Sequence, residues 1–269
     1  MKLSIVFVIT SEIDYAHIVQ AIDNIRYALN AEEYEIIIIS DIDMSFGLFK
    51  DISNINITIN KKSIGIFESR RKAIKLAKGK YISFVDPNFH LYVSNLEFLE
   101  DTEFDIIKFG IKLQYDPNEY IMERYTLDKN EADEYSNLNP ITSRFILKKC
   151  YDPFMNNYMF KTKYIKDFYK KIPTVNNYNK LFDIYLTLLL MKYMTSFKYD
   201  FHIFGITTFD KSFKPSPDKK INKLFYGMDP DIYFDKNEYK ELETFLENDE
   251  LNISKDVLKY INFFIGTDE

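Results

Sequence analysis

Ser69-Arg70-Arg71-Lys72-Ala73-Ile74-Lys75-Leu76-Ala77-Lys78-Gly79-Lys80-Tyr81-Ile82-Ser83-Phe84-Val85-Asp86 carries two elements and a chemical group. Ala73, Ile74, Leu76 and Ala77 give a helical stripe, and Gly79 supplies a C-terminal stop. Tyr81 to Val85 is a short apolar run of the kind a strand buried on both faces requires, and Asp86 closes it. Helix, glycine, buried strand and acid in succession are the repeating unit of an α/β sheet.

The same unit recurs upstream. Leu3 to Ile9 is an apolar run, followed by Ile18, Ile22, Ile25 and Leu29 at helical spacing, with Val19 thickening the stripe. Ser11 or Asp14 is placed to cap that helix. Glu35-Ile36-Ile37-Ile38-Ile39-Ser40 is a second buried strand, ending at Asp41 and Asp43. Asn54 to Ile59 alternates polar and apolar residues, which predicts a more exposed strand. Asp105 to Phe109 predicts one more. The expected fold class is therefore α/β: a mainly parallel sheet with helices on both faces.

Beyond residue 115 the pattern loosens. Residues 116–160 carry polar turns and weak periodicity, and Ile184 to Met194 is a helix core. Residues 161–224 hold 13 Lys against five Asp, whereas 229–250 hold nine acids against two Lys. The basic block reads either as a solvated face or as a surface that meets phosphates, in a diphosphate or in lipid headgroups. Tyr239, Leu242, Phe245 and Leu246 form one late helical stripe; Val257, Leu258, Ile261 and Ile265 form another. Both are expected to close a core in a helical C-terminal extension.

Composition removes several functions. The chain has 269 residues, 46% hydrophobic and 28% charged, which argues for a packed core. A net charge of -6 gives no global field for nucleic acid. One Cys excludes a disulfide framework and any multi-Cys metal site within this chain. The Lys, Asn, Ile, Tyr and Phe richness tracks A/T-rich codons, so it is set aside as functional evidence. The apolar run after Lys2 has no small-residue cleavage site behind it, and the run from Ile184 to Met191 is only eight residues. A span needs roughly 20. The expectation is a soluble, cytoplasmic protein, with peripheral attachment at the inner face of a membrane left open.

The glycines, at 47, 65, 79, 110, 205, 227 and 266, form no Gly-x-Gly. The dinucleotide fingerprint and the Walker loop both need such glycines, so that backbone N–H groups can approach phosphate. An α/β domain that binds phosphate without a Gly-rich loop can instead use a metal-bridged diphosphate. Ligands of open α/β sheets sit at the carboxyl ends of strands. Acids cluster there: Glu12 and Asp14, then Asp41 and Asp43, then Asp86 with Asn88. Taken singly, each is as well explained as a turn or cap residue. As an ordered set they suit a nucleotide base, a ribose and a divalent cation.

Four segments taken together resemble the family 2, GT-A fold glycosyltransferases: Ser4 to Ser11, Tyr34 to Asp41, Ser69 to Ile74, and Ala77 to Asp86. The resemblance covers residues 3–113 in order and spacing. Its most specific piece is Gly79-Lys80-Tyr81-Ile82-Ser83-Phe84-Val85-Asp86. Met159 to Tyr164 is similar to the family's acceptor-side segment, and Leu181 to Tyr185 to the start of its catalytic helix.

The resemblance implies roles. Thr10 lines the base pocket, and Asp41, with Asp43 beside it, contacts the base. Arg70 belongs to the substrate-binding set. Asp86 meets the ribose or the metal, Asn88 stands at the second metal-ligand position, and Asp183 is the general base. The implied cofactor is a divalent cation, Mn or Mg. The implied partners are a nucleotide sugar, with UDP-sugars as candidates, and a glycan, lipid-linked or glycoprotein acceptor, as in polysaccharide biosynthesis. The implied organisation is a nucleotide-sugar half at 1–115, an acceptor-side half at 116–225 and the extension at 226–269. The sequence departs from the family pattern at Asn88, where an Asp is usual, and at Phe182, where a Glu is usual. Lys211 and Lys214 are candidates for the later basic segment. These departures keep a catalytically degenerate binder of nucleotide sugars or glycans as the alternative. For Asp183, local sequence fits an N-cap as well as a base; the resemblance favours the base.

Overall fold

The structure is a computed structural model, which describes residues 1–11, 13–43, 45–114, 121–124, 130, 155–172, 190 and 194–208. The chain divides into two compact units, and all described residues belong to the first. Asp183, Phe182, Lys211, Lys214 and the extension at 226–269 lie outside the described residues.

The described elements are β1 (Leu3–Ile9), α1 (Ile13–Ala28), β2 (Tyr34–Ser40), β3 (Ile55–Ile59), α2 (Gly65–Leu76), β4 (Tyr81–Phe84), β5 (Phe89–Leu91), β6 (Ile106–Gln114), β7 (Ile121–Arg124), β8 (Tyr158–Lys161), α3 (Thr162–Tyr169) and β9 (Phe197–Thr208). Nine strands form one sheet in the order β3-β2-β1-β4-β8-β6-β9-β5, with β7 also paired to β6. The first four are parallel. β8 enters antiparallel between β4 and β6, and β9 runs parallel to β6. This is a mixed α/β, GT-A-like fold. β6 shares one edge between two partners, with β8 on Ile106–Lys108 and β7 on Ile111–Gln114.

The pattern of hydrophobic runs explains the pairing. β2 is buried along its whole length, as an Ile-rich central strand must be. β3, at the sheet edge, is only partly buried, which matches its alternation of Asn and Ile. Ile5, Phe7, Ile36 and Ile38 join Ile18, Ile22, Ile25 and Leu29 of α1 in one core. Because side chains alternate along a strand, Val6, Ile37, Ile39, Ile82 and Phe84 face the other way. That second face is covered by α2 and α3: the Arg70 guanidinium lies 5.5 Å from the Phe84 ring centre, and Phe67 stacks on Tyr169 at 5.3 Å. Each such buried apolar side chain contributes about 2 kcal/mol. No described helix is long and apolar enough to cross a membrane.

Two glycines are geometric necessities. Gly65 opens α2 with φ 78°, a conformation that L side chains rarely adopt. At Gly79 a Cβ would lie 2.5 Å from the Ser4 nitrogen, so the chain between α2 and β4 can touch β1 only without a side chain. The contact is held by polar groups: Gly79 N–H donates to Ser4 Oγ, and the Ser4 hydroxyl and Lys78 N–H both donate to buried Glu35 Oε1.

Candidate functional site

Parallel pairing of β1 with β2 and β4 brings their carboxyl ends to one edge of the sheet. Ile9 pairs with Ser40, and the N–H groups of Asp41 and Val85 extend the ladders to Ile9 and Val6. Thr10, Asp41 and Asp86 therefore share one end of the sheet, as the sequence predicts. Asp43 follows on the same loop and is exposed. After Asp86 the chain turns at once: Phe89 N–H donates to the Asp86 carbonyl, which holds Asn88 inside a tight turn before β5. β5 then pairs with the carboxyl end of β9, so the far half of the sheet reaches the same turn.

Asp41 accepts five hydrogen bonds. Its Oδ1 accepts from Asn60 Nδ2 at 2.7 Å and from Ser69 Oγ at 3.2 Å. Its Oδ2 accepts from Ser63 Oγ at 2.9 Å, Ile64 N–H at 3.1 Å and Gly65 N–H at 2.8 Å. One carboxylate thus ties the end of β2 to the end of β3 and the start of α2. It satisfies two backbone donors near the α2 N-terminus that have no intrahelical acceptor. Burial pushes its pKa upward, but the donated hydrogen bonds outweigh that and hold the carboxyl below its ordinary value. Asn60 is itself braced, since its Oδ1 accepts from Lys72 Nζ at 2.7 Å.

α2 begins at Gly65, four residues before Ser69, where its apolar periodicity starts. The cap that allows this comes from the side chain of Asp41, remote in sequence. Asn60, Ser63 and Ser69 join Asp41 only through the same long-range contact. The signal present was Asn60-Lys61-Lys62-Ser63-Ile64-Gly65, a polar turn ending in glycine directly after a strand.

Arg70 is 9% exposed and lies on the α2 flank behind the end of β4. It donates to Met155 Sδ at 3.4 Å, in the turn leading into β8. Its guanidinium thus links α2 to the strand that separates the two halves of the sheet.

Among the described residues, no three His, Cys, Asp or Glu side chains converge as a metal-binding group. Asp86 and Asn88, held in one turn, offer oxygen donors of the type a hard divalent cation takes, but only one of them carries charge.

The fold has solved counterparts. The structure of S. aureus TarS residues 1–349 superposes with a TM-score of 0.57 at 16% identity, covering 77% of this chain and 60% of that one. The same protein in complex with UDP-GlcNAc gives 0.54 at 16% identity, covering 77% and 58%. Its complex with UDP gives 0.57 at 14% identity, covering 83% and 63%. The chain thus spans about three-fifths of the TarS fragment it resembles. No protein-family model matches the chain, and no curated protein matches it in sequence.

Proposed function

We propose that this protein is a nucleotide-sugar glycosyltransferase of the inverting type. The observation that carries the reading is the convergence of Thr10, Asp41 and Asp86 at one sheet edge, on a fold shared with a protein solved in complex with UDP and with UDP-GlcNAc. A UDP-sugar lies across the carboxyl ends of β1, β2 and β4. Thr10 and Asp41 face the base. Ser63 Oγ, the exposed member of the Asp41 donor set, is the one a base N–H displaces at least cost. Asp86 meets the ribose. Asp86 and Asn88 are the residues that would hold a Mg or Mn ion, whose charge would offset that of the diphosphate.

Asp183 takes the proton of an acceptor hydroxyl, whose oxygen attacks the anomeric carbon opposite the departing diphosphate. A positioned base contributes about 10²–10⁴-fold in rate. The acceptor is a glycan, glycolipid or glycoprotein hydroxyl.

A second reading has its own support. Phe182, Asn88 and the saturated Asp41 carboxylate all suit a protein that binds a nucleotide sugar or glycan without turning it over. One experiment separates the two. The chain is offered a panel of UDP-, GDP-, CDP- and TDP-sugars with Mn²⁺ or Mg²⁺, and binding and sugar-nucleotide hydrolysis are measured together. The transferase reading expects both with at least one donor. Affinity without turnover selects the binder, and absence of affinity for every donor refutes both.

A further inference from the structure

α2 and α3 pack side by side and carry a mainly basic surface, in which Glu103 from a neighbouring loop pairs with Lys80 and Lys161. Lys166 Nζ donates to the Ala77 carbonyl at 2.7 Å, and an Arg71 guanidinium nitrogen donates to the Ile172 carbonyl at 2.9 Å. Residues 61–80 and 161–172 together contain thirteen Lys and Arg against two acids, Glu68 and Asp167. The chain as a whole has 41 acids against 35 basic residues, so lysine abundance is not the signal. The signal is the exclusion of acids from these two spans. Both acids present are already paired: Glu68 with Arg71 at 3.3 Å and Asp167 with Lys170 at 2.8 Å.

The chemistry of the surface is selective. Lys61, Lys62, Lys75, Lys78, Lys163 and Lys171 are exposed. Both arginines turn inward, Arg70 onto Phe84 and Arg71 onto the Phe67 ring at 4.9 Å. Phe67, Phe168 and Tyr169 are buried. The flank thus presents hydrated point charges, with no guanidinium fork for a single phosphate and no aromatic platform for a base. Such a distributed field suits the averaged charge of a lipid leaflet, where each lysine adds to the attraction without a fixed partner.

We infer that this flank docks the protein on an anionic lipid bilayer, with the exposed lysines of α2, α3 and the preceding loop lying over the headgroup phosphates. The crevice borders this flank. It lies at the end of the flank where Asp41 meets Gly65, the first residue of α2. The inference rests on charge placement alone and holds whether or not the chain transfers sugar.

Flotation of the full chain with vesicles tests it. Vesicles of phosphatidylcholine mixed with phosphatidylglycerol should carry the protein, and phosphatidylcholine vesicles should not. Binding should weaken as salt is added. The combined variant Lys75→Glu, Lys78→Glu, Lys163→Glu should lose about a hundredfold in affinity, at about fivefold for each lysine. Its melting temperature should match the parent, because all three side chains are exposed. Lys50→Glu is the control: Lys50 is exposed and follows Phe49, which packs into the core on the α1 side. It should leave binding unchanged. No binding to the anionic vesicles overturns the inference, as does an equal loss per residue from Lys50→Glu. Capture by soluble polyphosphate without capture by vesicles overturns it in favour of a soluble polyanion.

Discussion

Replacing Asp41 by Asn removes one charge and one acceptor from a carboxylate that receives five hydrogen bonds. The amide keeps a single acceptor oxygen. Turned toward Ser63, Ile64 and Gly65, it leaves Asn60 and Ser69 facing an NH₂ donor; turned the other way, it orphans the start of α2. At least two bonds are lost and the rest lose their charge assistance. Hydrogen bonds to a charged group contribute about 1.5–3 kcal/mol each and are not additive, and partial exposure of Asp41 lowers the sum, so the expected loss is about 3 kcal/mol. For a domain of this size that is a fall in Tm of about 6–12 °C.

A pH signature accompanies it. The folded carboxyl is held below its ordinary value of 3.8, so its stabilisation is complete above that value and is lost as pH falls through the lower, folded one. Asp41→Asn should therefore destabilise at neutral pH and flatten the acid limb of the stability curve. Thermal melts across an acid series read both. A variant that melts with the parent at neutral pH, or keeps the parental acid limb, refutes the account of Asp41 as the anchor of β2, β3 and α2.

Gly79→Ala should cost about 1–3 kcal/mol by denaturant titration, because its Cβ meets β1 backbone at 2.5 Å and backbone cannot yield as a side chain does. Asn88→Asp adds a charged ligand beside Asp86, and calorimetry with nucleotide present should show tighter Mn²⁺ binding; no change removes Asn88 from the proposed ligand set. Asp183→Asn should retain Tm, since Asn caps helices about as well as Asp, while transfer collapses and donor binding persists. Near-normal transfer with saturating donor and acceptor returns Asp183 to the role of a cap.

What the sequence revealed and what it hid divide along the range of the interactions. β1, β2 and β4 are legible because a strand buried on both faces must be an unbroken apolar run, and α1 because Ile18, Ile22, Ile25 and Leu29 recur at one period. The shared edge of Thr10, Asp41 and Asp86 follows from parallel connection alone. The Asp41 cage was not legible, because its five donors come from residues 19 to 28 positions away and acquire meaning only once β2, β3 and α2 are adjacent. α3 carries a buried stripe of Ile165, Phe168 and Tyr169, but at eight residues it is too short to stand out in the sequence. β8 is four residues long and earns its place by inserting between β4 and β6. The bulge in β9, where Asp200 pairs with Phe109 but Ile203 with Gly110, leaves no mark in the hydrophobic pattern.

The divided edge of β6 bears on the order in which the chain can assemble as it leaves the ribosome. The pairs among β1, β2, β3 and β4 all close within the first 84 residues, so these four of the nine strands can pair with one another early in synthesis. β6 is made soon afterwards, at residues 106–114, and β7 at 121–124 can pair with Ile111–Gln114, yet the Ile106–Lys108 part of that edge waits for β8 at 158–161 and the other edge waits for β9 at 197–208. Closing a contact over roughly ninety intervening residues is entropically slow compared with local pairing. For that interval β6, with Ile106, Ile107 and Phe109 that end fully buried, is a nascent strand with open edges. That interval is the part of the protein's life most exposed to misassociation with other chains.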